Sequence, residues 1–396
     1  VRTTMNRRTL AIWQLSMLTA IHFTVDMLSG MLPGFLPRLL EKYTLSIGTG
    51  TLLLTLCAFS SNGVQLWAGT LRKTATRPLL VQVGLVLGCA ICLVGLVPAG
   101  PGAMWLLTLI VLVLGVGVAL VHPEGLRGVC AIDPGTVTPA VATSIFMLSG
   151  FLGYATGPLL GGVLLECFGF HGLYLMLIPV ALLLVGVSKA RVRLAKDRPQ
   201  AARGKAAAIP HSTLTFWELF VVATLINTGC VIIQGLLPTY LNLFGFSLGF
   251  GGLSAMLFGA GAGLGALGTS FLIKKFETIR CIQLEILAGV PLLILYLCAA
   301  PSGWAAALIP LAGVLVGAGF PQLVVLARTA PGGPALGTRM GLVVGGTWGI
   351  AGLLLLLVGV AADRFGLRAA MFASPFSFLC VLLMTRFLQM KKHRNG

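Results

Sequence analysis

LPRLLEKYTLS, residues 36–46, returns 201 residues later as LPTYLNLFGFS, residues 237–247. Each copy lies where one apolar run ends and the next begins. Other landmarks keep nearly the same offset: DPG at 133–135 against APG at 330–332, GVLLECFG at 162–169 against GVAADRFG at 359–366, and Arg127 against Arg328. Landmarks in one order at a near-constant spacing mean two like halves in the same orientation.

Both halves read as membrane-embedded. The chain is 57% hydrophobic and 9% charged, with a mean hydropathy of +0.99, whereas an ordinary soluble domain is about 25% charged. A soluble fold is thereby set aside. Apolar runs bounded by charge, proline or glycine predict spans at about 11–38, 47–70, 78–97, 103–124, 139–165 and 172–188. A polar, basic stretch at 189–215 interrupts the pattern, and six more spans follow at about 216–241, 249–273, 281–299, 304–327, 339–361 and 369–388. The expected fold is an all-α polytopic membrane protein of 12 helices. Residues 1–188 form one six-helix bundle, 189–215 a cytoplasmic linker and 216–396 a second bundle, the two related by an axis along the membrane normal with a substrate path between them. Fifty-two glycines suit close helix packing in lipid.

The net charge of +17 does not point to nucleic acid, because the basic residues are scattered at the ends of apolar runs. Of the 27 Lys and Arg residues, all but Arg38, Lys42, Arg364 and Arg368 fall on one side of the predicted topology. The positive-inside rule then places both termini in the cytoplasm, with Arg7 and Arg8 anchoring the first helix. Those two resemble a twin-arginine export signal, but the apolar run continues too far and lacks a small-residue cleavage site. Nine cysteines, mostly in apolar segments, argue against a disulfide framework. Cys89 and Cys92 form a C-x-x-C inside a predicted span with no second pair, so no redox or metal role is expected of them.

Within the first span, His22 and Asp26 stand four residues apart, hence on one helix face, where an imidazole and a carboxylate can share a proton. An ionisable residue at bilayer depth costs roughly 2.5–3.5 kcal/mol on insertion scales, so a functional role outweighs a carboxylate tied to a neighbour only for packing. A second ionisable group, His122, Glu124 and Arg127, ends the fourth span around Pro123. There Glu124 and Arg127 can pair at i, i+3 and release as the bundle moves, and His122 titrates near neutrality. The plainer alternative is an interfacial ion pair.

The fifth span carries Gly153-Tyr-Ala-Thr-Gly157-Pro158-Leu-Leu-Gly161-Gly162. Pro158 removes a helix hydrogen bond and the glycines permit close approach. The full pattern resembles the antiporter motif of drug:proton exporters of the major facilitator superfamily. H-x-x-x-D at His22 and Asp26, H-P-E-x-x-R at residues 122–127, and Ser144-Ile145-Phe146 ahead of the Gly-Pro motif look like the fosmidomycin-resistance exporter family. This covers most of the first half and the second half only generally. It implies proton-driven efflux of a small antibiotic-like solute, anions included, from the bacterial inner membrane. Two features depart from the superfamily pattern. Gly69-Thr-Leu-Arg-Lys73 has a lysine where the loop motif has an acid, although Arg77 remains, and Val111 stands where many drug exporters have an arginine.

Arg38, Gln65, Asn227, Gln234, Gln322 and Arg339 are candidates to line a substrate cavity, although the amides serve equally as interhelical glue and the arginines as edge anchors. Arg77, Arg127 and Arg328 are candidates for gating or charge relay. Glu285 is expected to pair with Arg280 or Lys275, Glu166 and Asp363 to mark turns with Asp363–Arg364 solvated, and the glycines from Gly259 to Gly268 to form a packing surface. No catalytic constellation or phosphate-binding loop is present, so an enzyme is not expected. The partners expected are a small solute, protons and lipid, with the chain a monomer, no cofactor beyond the proton gradient, and no metal, two ligands being too few. An importer or facilitator of a sugar, organic acid or metal ion is the alternative within transport, and a non-transporting receptor or assembly partner the alternative outside it.

Overall fold

The computed structural model describes residues 6–68, 71, 74–195 and 214–395. Gly69, Thr70, Arg72 and Lys73 of the loop motif and residues 196–213 of the linker lie outside the described residues. Those described are helical or irregular, without strands. In lipid every backbone polar group must be satisfied within the segment, which is why apolar runs of this length become helices.

The spans are α1 (Arg7–Tyr43), α2 (Ile47–Ala68), α3 (Leu79–Gly88, continued as a 3₁₀ turn over Cys89–Leu96), α4 (Ala103–Val129), α5 (Pro139–Phe168), α6 (Leu177–Lys189), α7 (Phe216–Asn242), α8 (Leu248–Leu272) and α9 (Thr278–Ala299). A tenth runs over Trp304–Ala327, an eleventh over Leu336–Phe365 with a π-helical turn at Leu342–Gly346, and a twelfth over Leu367–Lys391. Eleven segments among the described residues are long and apolar enough to cross a membrane. One of them, Pro139–Lys189, is 51 residues long and contains both α5 and α6. The apolar runs thus mark twelve spans, with ends within a few residues of those expected. Large apolar side chains on the outer faces, such as Trp105, Leu182 and Leu264, are exposed as a lipid-facing surface requires.

The repeat is legible in the turns. After α1 the chain passes through Thr44 with φ of 51°, and after α7 through Gly245 with φ of 81°. Ser46 then accepts the Thr49 N–H and Ser247 the Phe250 N–H, so each copy is a helix, a left-handed residue, a serine cap and a helix. Gly169 and Gly366 likewise end α5 and the eleventh span with positive φ. Thr138 caps α5, and Thr215 with Glu218 closes a capping box on α7.

The chain divides into two compact units, Val1–Phe35 with Leu56–Ala201, and Leu36–Thr55 with Ala202–Gly396. The first half of α2 belongs to the second unit, and the reason is polar. Asp363, expected to sit solvated beside Arg364, instead accepts the Ile47 and Gly48 N–H groups at 2.8 and 2.9 Å. Thr55 Oγ1 donates to the Gly352 carbonyl. A helix N-terminus leaves its first N–H groups without partners, and a carboxylate is what they attract. α1 and α7 are the most deeply buried spans of their units.

Candidate functional site

The site sits at the middle of α1. Asp26 lies about 28 Å along the helix from Arg7 and about 26 Å from Tyr43, at 1.5 Å per residue. What surrounds it is set by how closely α5 approaches. Gly150, Gly153, Gly157 and Gly161 share one face of α5, spaced three or four apart. A Cβ on Gly157 would stand 2.6 Å from the Met27 carbonyl oxygen and one on Gly161 2.6 Å from that of Met31, while Gly153 lies against the Phe23 carbonyl. α1 reciprocates, with Gly30 against the Tyr154 backbone and Gly34 against that of Pro158. The Gly-Pro motif is therefore the seam on which α1 and α5 meet, and the seam extends one turn further than the motif, to Gly150.

There the ionisable groups converge. His22 Nε2 is 3.3 Å from Asp26 Oδ2, as their spacing on α1 predicts. His122 of α4 brings its Nε2 to 3.4 Å from Asp26 Oδ1. His22 is 2% exposed and Asp26 13%. Both imidazoles have their other nitrogen committed. His22 Nδ1 is 2.7 Å from the Phe146 carbonyl oxygen, and His122 Nδ1 is 2.8 Å from that of Val118. A carbonyl only accepts, so each Nδ1 carries its hydrogen and each Nε2 is the atom free to take or lose a proton. Two such nitrogens face one carboxylate. Each Nε2···O approach is attractive with a proton in it. The Phe146 ring stacks on His22 at 4.1 Å between centroids, and His122 meets His22 edge-on at 4.7 Å.

The other residues of H-P-E-x-x-R are placed elsewhere. Glu124 is buried, and its Oε2 accepts the Val81 N–H at 3.0 Å, in the first turn of α3. Arg127 donates from Nε and Nη2 to the Ala195 carbonyl and from Nη2 to that of Ala75. The carboxylate thus meets a helix N-terminus and the guanidinium holds two chain segments. Of this group, His122 is the residue that the structure brings to Asp26.

The remaining candidates are dispersed. Arg38 is exposed and paired with Glu41 at 2.6 Å, so it belongs to the helix end and not to a cavity. Arg339 is taken up by the carbonyls of Pro334, Ala327, Ala330 and Gly333 over the Phe216 ring, which closes a loop. Gln322 donates to the Ala266 carbonyl. Gln65 and Gln234 are half-buried, and the buried Gln234 Oε1 has no partner among the described residues. Arg77 and Arg328 are exposed. Glu285 meets Thr269 of α8 in place of Arg280 or Lys275, the nearest donor within the membrane being a hydroxyl. Of the α8 glycines, Gly261 and Gly265 pack on the Pro310 and Val314 backbones, while Gly263 and Gly268 face open space.

Phe146 and Gly150 are the site residues that sequence reading missed as such. Both lie on the glycine face of α5, Phe146 two turns and Gly150 one turn before Gly153, and extending that face would have found them. The repeat adds a comparison. Asn227 stands 201 residues after Asp26, and its Nδ2 donates to Thr347 Oγ1 at 2.9 Å; Thr347 stands 197 residues after Gly150. The second half keeps the same two positions in contact with neutral groups.

The profile of the Major Facilitator Superfamily matches residues 18–355. The chain belongs to the Major Facilitator Superfamily. Its members are transporters, so the chain is a multi-pass membrane transporter and not an enzyme. A bacterial homologue of the human lysosomal transporter Spinster, inward-facing and unoccupied, is 15% identical with a TM-score of 0.72, over 96% of this chain and 97% of that one. The nucleoside transporter NupG is 14% identical with a TM-score of 0.71, over 96% and 99%. The E. coli fucose:proton symporter FucP is 15% identical with a TM-score of 0.55, over 96% and 99%. At such identities the likeness is one of superfamily fold. No curated protein matches the chain in sequence.

Proposed function

We propose that this Major Facilitator Superfamily member is a proton-coupled secondary active transporter of the bacterial inner membrane, exporting a small antibiotic-like or organic solute, anions included, by alternating access. The observation that carries the reading is the convergence of His22 Nε2 and His122 Nε2 on the Asp26 carboxylate. Packing does not require it, since the equivalent Asn227–Thr347 contact of the second half holds its helices with neutral groups. A carboxylate and two imidazoles at mid-span are costly to keep unless their charge is used. Their α1–α4–α5 setting at mid-span supports this reading, because transporters of this kind bind near the bilayer midplane. The direction of transport rests on the resemblance of His22, Asp26, residues 122–127 and the Gly-Pro motif to fosmidomycin-resistance exporters.

The test is expression in an efflux-deficient host against a panel of toxic compounds that includes phosphonates. Increased tolerance to at least one compound, lost with Asp26→Asn at equal membrane abundance, is the expected result. If no compound's tolerance changes, export fails as the reading. Tolerance kept in full by Asp26→Asn removes Asp26 from the coupling site.

A further inference from the structure

The donor set at the centre of α1 also has the composition of a metal site. His22 and Asp26 offer two ligands, and the structure supplies a third in His122. The three donor atoms lie within 4.8 Å of one another. His22 Nε2 lies 3.3 Å from Asp26 Oδ2 and His122 Nε2 lies 3.4 Å from Asp26 Oδ1, separations of the order that two ligands of one ion keep at zinc bonds of about 2.0–2.2 Å. Both rings give Nδ1–H to a backbone carbonyl, the outer contact that fixes a metal-binding imidazole with its Nε2 lone pair facing the ion. His22 Nε2 is buried, points into the cluster, and has no hydrogen-bond partner among the described residues. The space beside it is kept open by the absence of a side chain: a Cβ on Gly150 would stand 2.5 Å from Asp26 Oδ2 and 2.5 Å from His22 Nε2.

We propose that His22 Nε2, His122 Nε2 and the Asp26 carboxylate bind one divalent first-row transition-metal ion of the zinc class, with a fourth position open to water or solute. Two imidazoles and a carboxylate are borderline ligands that favour zinc, cobalt or iron over magnesium or calcium, which seek oxygen alone. The ion ties α1 to α4 and occupies the lone pairs that protons otherwise use. The site stands on the same three side chains as the transport reading but does not depend on it.

The probe is Co²⁺, titrated into the purified, tag-free full-length chain after chelator treatment and followed by its visible absorption. One equivalent is expected, with the intense bands of a four-coordinate site, displaced by Zn²⁺ and not by Mg²⁺. His122→Ala removes one of three donors and Gly150→Ala fills the space, so each is expected to weaken binding by about tenfold or more. His171→Ala, a histidine of the turn after α5, is expected to change nothing. Size-exclusion profiles matching the wild type show that each variant is folded. Wild type taking up no Co²⁺ at micromolar concentration, or a Co²⁺ spectrum unaltered in folded His122→Ala, overturns the site. A chain that moves protons with its solute yet takes no Co²⁺ overturns the metal site alone. One that takes Co²⁺ but ignores a pH gradient overturns the proton reading and leaves the metal site standing.

Discussion

Replacing Asp363 with alanine is expected to loosen the start of α2 by a calculable amount. The first four N–H groups of a helix lack partners within it. In α2 three of these N–H groups find acceptors outside the helical ladder: Asp363 takes Ile47 and Gly48, and Ser46 Oγ takes Thr49. Gly50 N–H returns to the Ser46 carbonyl. Asp363→Ala therefore leaves two N–H groups open at a part-buried terminus and removes an anion from the positive end of the helix. Loss of a capping side chain costs about 1 kcal/mol within a range of 0.5–2, and loss of a favourable charge at the first turn about 0.3–1 kcal/mol. With two bonds involved, about 2–3 kcal/mol of local stability is at stake, which is a factor of roughly 30–150 in the opening equilibrium by the usual 1.4 kcal/mol per tenfold. Hydrogen–deuterium exchange of a peptide spanning residues 45–54 measures it directly. Exchange there should accelerate by one to two orders of magnitude in Asp363→Ala and by less in Asp363→Asn, which keeps an acceptor but no charge. Peptides of α4 and α5 should be unaffected. Unchanged protection in residues 47–50 of a folded Asp363→Ala chain would refute the assignment of Asp363 as the cap.

Other consequences are local to the first unit. Gly157→Val places side-chain atoms against the Met27 carbonyl and the Gly30 backbone, and overpacking of this kind costs about 1–3 kcal/mol or more. The folded yield in detergent should fall sharply, whereas Gly263→Val, which meets open space, should leave it unchanged. Arg127→Lys gives up the fork that spans the Ala75 and Ala195 carbonyls. At about 1.5–3 kcal/mol per charge-assisted bond, exchange at residues 190–195 should rise at least tenfold, without change around Asp26.

The twelve spans were readable because lipid leaves a chain little choice: a run of about 20 apolar residues must close its own hydrogen bonds as a helix. The His22–Asp26 contact was readable because spacing on one helix fixes which residues share a face. What spacing cannot give is how neighbouring helices are rotated against each other. His122 therefore read as part of a separate group with Glu124 and Arg127, although rotation of α4 turns His122 toward Asp26 while Glu124 reaches α3. The same limit hid Asp363, whose partners lie 316 and 315 residues away, and Glu285, whose partner is a threonine on α8. Gly150 was within reach, since the glycine face continues through it.

In the proposed mechanism the Asp26 cluster exchanges protons with transport. The direct measurement is proton movement in proteoliposomes carrying a pH-sensitive dye, on addition of a solute to which the chain confers tolerance. Wild type should move protons only when solute is added and should accumulate solute when a pH gradient is imposed. Asp26→Asn, which copies the neutral chemistry already present at Asn227, should fold and bind solute yet do neither. Accumulation against the gradient by Asp26→Asn, with protons moving as in wild type, would contradict the claim.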